Sequence, residues 1–219
     1  MPTEQTESTR AASASVTGYR LILPDDWAQI PLRHGTEEAV RRILDEAFSR
    51  IPPGSPEDKI GPYKRELERR FRAAVGRAQE GKALDLYLPV RSVGNANLGA
   101  SIVVSESRLP HRRGQAAHSE PTDVAMQLLS SDGAENADLS SGELDGALAV
   151  RREHIADADR GAALGSRRVE YVVSVPDDPD RWFAAAFSTV GGGDPRDELA
   201  EALVEWFDAV MATLRWRRG

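Results

Sequence analysis

Cysteine is absent from this sequence, and only Lys59, Lys64 and Lys82 among its 28 basic residues are lysines. The lack of cysteine excludes disulfides, thiolate metal sites and cysteine nucleophiles. No apolar run approaches the roughly 20 residues that a membrane-spanning helix requires. The N-terminal stretch MPTEQTESTR also lacks the basic start and the apolar run of a signal peptide. These absences predict a cytoplasmic protein.

The composition suits one folded domain. The chain has 219 residues, 40% of them hydrophobic, which is enough to build a core of ordinary size. Its net charge of −7 argues against broad binding to nucleic acid or to anionic membranes. Residues 1–15 lack apolar periodicity and are predicted to be a disordered tail. Residues 16–219 are predicted to be a single α+β domain, with a mobile loop over the polar, basic stretch 107–120.

The clearest pattern lies near the C-terminus. Residues 167–175 alternate between apolar and polar side chains, whereas residues 181–190 are apolar on both faces. We therefore predict two strands, the second of them central and covered on both sides. Three glycines then lead into a long amphipathic helix, with Asp194 as its N-cap and Pro195 in its first turn. The predicted apolar arc of this helix comprises Leu199, Leu203, Trp206, Phe207, Val210 and Leu214.

Shorter patterns precede this region. Residues 19–23 and 27–30 predict a hairpin around a Pro-Asp-Asp turn. Thr36 is the expected N-cap of a first helix, and a second helix is expected over 62–79 with Tyr63 on its inner face. Further strands are predicted over 84–90, over 99–105 and within 144–155, and a short helix is predicted over 122–130. The fold class is α+β: an α/β/α sandwich with a mainly antiparallel sheet of about six strands and helices on both faces.

The two ends of the chain resemble known proteins. The segment YRLILPDDWAQIPL resembles the opening strand, turn and tryptophan of the PsbP and Mog-like fold, and residues 167–190 and 203–216 resemble its closing hairpin and helix. Mycobacterial LpqN-type lipoproteins are similar, but this chain lacks their lipidation signal and cysteine. It also resembles a family of cytoplasmic actinobacterial proteins, some of them associated with type VII secretion loci. The resemblance implies an antiparallel α/β/α sandwich with a protein-binding or accessory role, and it carries over no catalytic residues.

Patterns typical of catalysis or metal binding are weak. The four histidines show no ligand spacing, so we expect no metal site and no cofactor. They are His34, His111, His118 and His154. The run Gly191–Gly193 before a helix could bind an anion through free N–H groups, but Asp194 places a negative charge there and favours a plain connector. Residues 177–180 are expected to form a hairpin turn rather than a calcium loop.

A small group of arginines is the candidate protein-binding surface. Arg108, Arg112 and Arg113 form a cationic cluster without an interleaved aromatic residue for stacking on a base. The cluster is either a solvated loop or a docking site for an acidic protein surface. The tryptophans are expected in or beside the core, and one left exposed would mark an interface. They are Trp27, Trp182, Trp206 and Trp216.

Two functional hypotheses follow. The first is a non-catalytic protein-binding or assembly accessory protein, associated with type VII secretion on the resemblance alone. Its partner would be another protein, without nucleic-acid binding or membrane insertion. The alternative is a small enzyme or small-ligand-binding protein with a pocket between sheet and helices. A deep pocket with converging polar groups of shifted pKa would favour the alternative, whereas a shallow surface with an exposed apolar patch would favour protein binding.

Overall fold

The computed structural model describes residues 15–52, 54, 56–90, 99–108, 123, 125, 127, 129, 137–158 and 164–219. The helices are α1 (Thr36–Ser49), α2 (Glu57–Glu80) and α3 (Glu198–Ala212). The strands are β1 (Val16–Arg20), β2 (Trp27–Pro31), β3 (Asp85–Pro89), β4 (Ala100–Arg108), β5 (Asp138–Leu144), β6 (Ala147–Ala156), β7 (Ser166–Val175), β8 (Asp178–Thr189) and β9 (Arg215–Arg218). The described residues of the predicted short helix over 122–130 are all helical: Asp123, Ala125, Gln127 and Leu129.

Seven strands form one antiparallel sheet in the order β2–β3–β4–β8–β7–β6–β5. β8 is the fourth of the seven, which confirms the prediction of a central strand over 181–190. Its residues enter both layers, because Phe187 packs with α3 and Trp182 packs on the opposite face. The sheet has seven strands instead of the predicted six or so. The sequence did not indicate β5 (DLSSGEL), because this strand has no apolar alternation and is almost entirely exposed.

The two ends of the chain form a separate two-stranded sheet, the terminal ribbon, made of β1 and β9. The strands pair antiparallel, with Tyr19 opposite Trp216. The predicted hairpin between residues 19–23 and 27–30 is therefore wrong, since β2 pairs with β3 instead. The physical reason is burial: Ile30 of β2 packs with the α1 and α2 side chains, whereas Tyr19 of β1 packs on the other side of the sheet, with α3.

Helices cover both faces of the seven-stranded sheet, as predicted. α3 and the terminal ribbon share one face, and α1 and α2 cover the β2–β4 end of the other. Ala125 and Leu129 cover the β6–β8 end of that second face. Strand alternation in β4 separates the two layers, since Ile102 packs toward α3 and Val103 packs toward α1 and α2. In the part of the chain that is described, every helix is too short or too polar to cross a membrane.

The final helix begins later than the sequence indicated. Asp197, not Asp194, is the N-cap, and its side chain accepts a first-turn backbone N–H at 2.7 Å. Asp194 belongs to the turn before the helix. Phe207 is fully buried as expected, whereas Leu199 is 37% exposed and the buried Leu214 lies beyond the helix end. A cap must present its oxygen to the free N–H groups, and only Asp197 stands at that position.

The two N-terminal helices also differ from prediction at their starts. The N-cap of α1 is Gly35, in a left-handed conformation at φ 76°, and Thr36 is the first helical residue. The Thr36 hydroxyl donates to a β2 carbonyl at 2.7 Å instead of capping the helix. α2 begins before Pro62, and Tyr63 is exposed rather than inward. Packing of α2 against the core involves Leu67 and residues that follow it.

Asp197 should make folding stability depend on pH at the acid end. Backbone N–H groups of Ala200 and Gly192 donate to its carboxylate at 2.7 Å each, and these bonds lower the pKa of Asp197 below its ordinary value of 3.8. A lowered folded pKa means that the contribution is fully present above the unfolded pKa and is lost as pH falls through the folded pKa. Urea unfolding should therefore show that Asp197→Asn destabilises less at about pH 2 than at about pH 7. Asp194→Asn is the matched control, and an equal loss at both pH values would contradict the prediction.

Candidate functional site

The predicted arginine cluster is only partly described. Arg108 is the last residue of β4, and Ser107 also belongs to that strand rather than to the loop predicted over 107–120. The exposed guanidinium of Arg108 lies 3.4 Å from the Asp178 carboxylate on the adjacent strand β8. Arg112 and Arg113 lie outside the described residues, as do residues 1–14 of the tail predicted over 1–15. A role of these three arginines in protein binding stays a prediction.

The histidines form no common site among the described residues. His34 is exposed after β2, and His154 lies in β6, while His111 and His118 fall outside the described ranges. Within those ranges, no three His, Asp or Glu side chains are placed to hold a metal ion.

The glycine run before α3 hydrogen-bonds to side chains of the protein itself, including the N-cap Asp197. The Gly192 N–H donates to Asp197 at 2.7 Å, and the Gly191 N–H donates to the Thr189 hydroxyl at 3.1 Å. Gly191 has φ 56°, and a Cβ there would clash with the Asp197 carboxylate. The protein's own carboxylate thus occupies the place of an external anion. A hairpin turn joins β7 to β8, as predicted, but it contains only Asp177 of the acidic run, at φ 63°. Residues 178–180 belong to β8 instead of the predicted turn.

All four tryptophans contact the core, as predicted. Trp27 and Trp182 are buried, and Trp206 and Trp216 are half-buried. Trp27 stacks on Trp206 with ring centroids 4.6 Å apart. Trp216 meets the Phe183 ring edge-on at 5.8 Å. None of the four is exposed.

A polar cavity of about 360 Å³ lies between the terminal ribbon and the seven-stranded sheet. This inter-sheet cavity was not predicted, because the pocket considered from the sequence lay between sheet and helices. Its volume lies at the lower end of the range typical of small-molecule sites. It is lined from the ribbon by Thr17, Gly18, Tyr19, Trp216 and Arg217, and from the sheet and the loop after β2 by Gln29, Arg33, Leu84, Asp85, Glu106, Val175, Arg181 and Phe183.

A buried carboxylate, Asp85, forms the floor of the cavity. Asp85 is only 8% exposed, and it accepts the Tyr19 hydroxyl at 2.5 Å and the Gln29 amide at 2.8 Å. Tyr87 lies 3.0 Å from the Tyr19 oxygen and donates to it, because the single Tyr19 proton is directed to Asp85. Burial raises the pKa of Tyr19 far above its usual range and raises the pKa of Tyr87 to about 12. Both phenols are therefore protonated hydrogen-bond donors near neutral pH.

An ion pair forms the second polar feature of the lining. Arg181 donates through Nη2 to Glu106 at 2.8 Å and through Nη1 to the Val16 carbonyl at 2.6 Å. The hydrogen bond between the side chains lowers the pKa of Glu106 and raises the pKa of Arg181. The pair joins β4 and β8 to β1 and therefore holds the terminal ribbon over the cavity.

Two exposed arginines, Arg33 and Arg217, lie at the mouth of the cavity. The positive charge of Arg33 contributes to the lowered pKa of Glu106, and that of Arg217 opposes the rise in the pKa of Tyr87. Neither arginine forms an ion pair with any carboxylate in the described ranges. Three guanidinium groups against two carboxylates make the lining positive, in a chain whose net charge is −7.

Sequence reasoning missed this cavity because its residues come from distant parts of the chain. Asp85 and Tyr87 occupy the polar positions of an alternating strand, LDLYLPV, a pattern that indicates a solvent face. That face is covered because the terminal ribbon packs over it, with Tyr19 contacting both side chains. The available signal was a carboxylate beside a tyrosine on one face of a strand, which is weak without knowledge of the cover.

Removing the Tyr19 hydroxyl should destabilise the protein through Asp85. Tyr19→Phe deletes the donor at 2.5 Å and leaves a buried carboxylate with one fewer hydrogen bond. The expected loss of unfolding free energy is about 1–3 kcal/mol, measured by urea denaturation. Tyr63→Phe removes the same atom from an exposed tyrosine and is the matched control. Equal stability of the two variants would show that the Asp85 contact contributes nothing.

No family model matches the chain, and no curated protein matches its sequence. Solved structures do match it, and one is the crystal structure of LpqN, a protein involved in cell envelope biogenesis of Mycobacterium tuberculosis. The two chains are 13% identical with a TM-score of 0.44, and the match covers 94% of this chain and 87% of LpqN. LpqN-type lipoproteins are among the proteins to which the sequence was found similar above. At this level of similarity, no argument about function follows.

Proposed function

We propose that this protein is a non-catalytic binding protein that takes a small polar ligand into the inter-sheet cavity. One observation carries the proposal: buried Asp85, the phenol of Tyr19 and the Glu106–Arg181 pair converge on one cavity, and the pKa values of Tyr19, Glu106 and Arg181 are shifted. Convergent polar groups of shifted pKa in a cavity of this size are typical of ligand sites.

The hydrogen bonds of the lining favour binding over catalysis. A general acid or base works best with a pKa near the operating pH. Here the pKa of Glu106 is lowered by Arg181, and the pKa of the Tyr19 phenol is raised by burial, so both shifts lead away from neutrality. These groups are therefore suited to permanent roles as acceptor and donors. Orientation of a polar ligand requires such fixed groups.

Thermal unfolding in the presence of the low-molecular-mass fraction of a cell extract tests this proposal. A ligand that binds only the folded state should raise the melting temperature by about 2–4 °C for each kcal/mol of binding free energy. Gly18→Phe should abolish the rise, because Gly18 lines the cavity and an added Cβ has room beside the Arg217 side chain. Gly142→Phe, in the exposed strand β5, is the matched control and should keep the rise. A melting temperature unchanged by the fraction, or raised equally in both variants, would overturn the proposal.

Protein binding is the second candidate function, and β5 favours it. This strand ends the sheet as described, pairs with β6 on one side, and exposes nearly all its residues, including Leu139. Edge strands accept an added strand from another protein through backbone hydrogen bonds. An assembly accessory role in the cytoplasm, with a type VII secretion association and with Arg108 among the contacts, belongs to this candidate. Pull-down with a Gly142→Pro variant tests it, because proline removes a backbone donor from the strand.

A further inference from the structure

Two groups of charged side chains line the inter-sheet cavity apart from the Glu106–Arg181 pair: a carboxylate at the floor and two arginines at the mouth. Asp85 lies at the floor, where its partners, Tyr19 and Gln29, are both neutral. Among the described residues, no cationic side chain forms an ion pair with Asp85. A buried carboxylate without a paired cation carries a desolvation cost that a positive group would offset. A cationic group of a ligand would therefore be favoured at the floor of the cavity.

The mouth of the cavity has the opposite character. Among the described residues, Arg33 and Arg217 form no ion pair with a carboxylate, although the charge of Arg33 contributes to the lowered pKa of Glu106. The third guanidinium, Arg181, forms an ion pair with Glu106. Guanidinium groups bind carboxylates and phosphates through charge-assisted, often bidentate hydrogen bonds. An anion here would stay clear of Asp85 by remaining at the mouth. An anionic group of a ligand would therefore be favoured at the mouth of the cavity.

We infer that the inter-sheet cavity recognises a small zwitterion, with its ammonium group on Asp85 and its carboxylate or phosphate on Arg33 and Arg217. This inference rests on the proposed ligand-binding function and adds the chemical class of the ligand. The cavity of about 360 Å³ suits a molecule the size of an amino acid or an amine-bearing phosphate. The apolar side chains Leu84, Val175 and Phe183 line the space beside these charges and would contact the body of the ligand.

Calorimetric titration of the full chain with chemically matched probes tests the inference. The probes are the protein amino acids, with serine compared against glycerate, which lacks the ammonium group, and serinol, which lacks the carboxylate. Phosphoethanolamine is the phosphate probe, and it separates a phosphate ligand from a carboxylate one. At least one zwitterion should bind at least tenfold more tightly than its analogues, about 1.4 kcal/mol in binding free energy. If no zwitterion binds, or if the analogues bind equally, the inference is overturned.

Substitutions at the two arginines and at Asp85 test which protein group binds each charged end of the ligand. Arg33→Gln with Arg217→Gln should weaken zwitterion binding at least tenfold, whereas Arg41→Gln with Arg42→Gln, an equal charge change on exposed positions of α1, should leave it unchanged. Asp85→Asn should abolish the preference for the zwitterion while glycerate binding persists, which also shows that the variant is folded. Equal binding by the two arginine double variants would overturn the inference. Stabilisation by the extract fraction, lost in Gly18→Phe, without binding of any zwitterion probe would overturn this inference and leave the proposed function standing.

Discussion

Replacing Phe207 by Ala is expected to cost about 3–5 kcal/mol of unfolding free energy, a large part of the stability of a typical domain. Phe207 is fully buried in α3 and stacks on Phe187 of the central strand β8, with ring centroids 4.9 Å apart. Tyr171 of β7 meets the same ring edge-on at 5.9 Å. The truncation leaves a cavity between helix and sheet that well-packed neighbours fill only in part.

Thermal and urea unfolding measure this loss, with Leu199→Ala as the matched control on the same helix. Leu199 is 37% exposed whereas Phe207 is fully buried, so truncating Leu199 removes less buried surface. For a chain of this size, the Phe207→Ala loss corresponds to a melting temperature lower by roughly 6–20 °C. A Phe207→Ala variant that melts with the parent would mean that α3 is peripheral to the core.

The second large effect is expected at Glu170, which pairs with a buried arginine. Arg152 is 4% exposed, and its Nε donates to Glu170 at 2.7 Å while Nη1 donates to the Leu129 carbonyl. Arg152 and Glu170 stand opposite each other on β6 and β7. Glu170→Ala would remove this carboxylate from the buried guanidinium, and removing one partner of a buried ion pair costs about 3–5 kcal/mol. Urea unfolding at neutral pH measures the loss.

Two further variants separate the free-energy cost of removing one partner of the ion pair from the net contribution of the pair to stability. Glu66→Ala breaks pairs with Arg69 and Arg70 that lie on the exposed side of α2, and it should change stability little because solvent screens them. The double variant Arg152→Met with Glu170→Leu removes both buried charges and should recover most of the stability lost in Glu170→Ala. If the double variant is as unstable as Glu170→Ala, the loss arises from packing and not from the broken ion pair.

The candidate site was largely beyond prediction from the sequence. The strand over 84–90 was predicted, but no sequence pattern singled out Asp85, Arg33 or Arg217. These residues are brought together by β1 and β9, which come from opposite ends of the chain. The arginines that the sequence did single out include Arg108, whose described contact is an exposed pair with Asp178. Clustering in sequence drew attention to that group, whereas the cavity depends on clustering in space.

What the sequence by itself determined are the elements whose patterns depend on local periodicity and on burial. The central position of β8 and the apolar face of α3 around Phe207 follow from residues that are neighbours in the chain. Only the tertiary structure decided that β1 pairs with β9, that β2 pairs with β3 and that the polar face of β3 is covered. The choice of strand partner depends on which apolar residues share a layer, and that comparison involves distant segments. Asp85 is buried for the same reason, because its cover is supplied by the two ends of the chain.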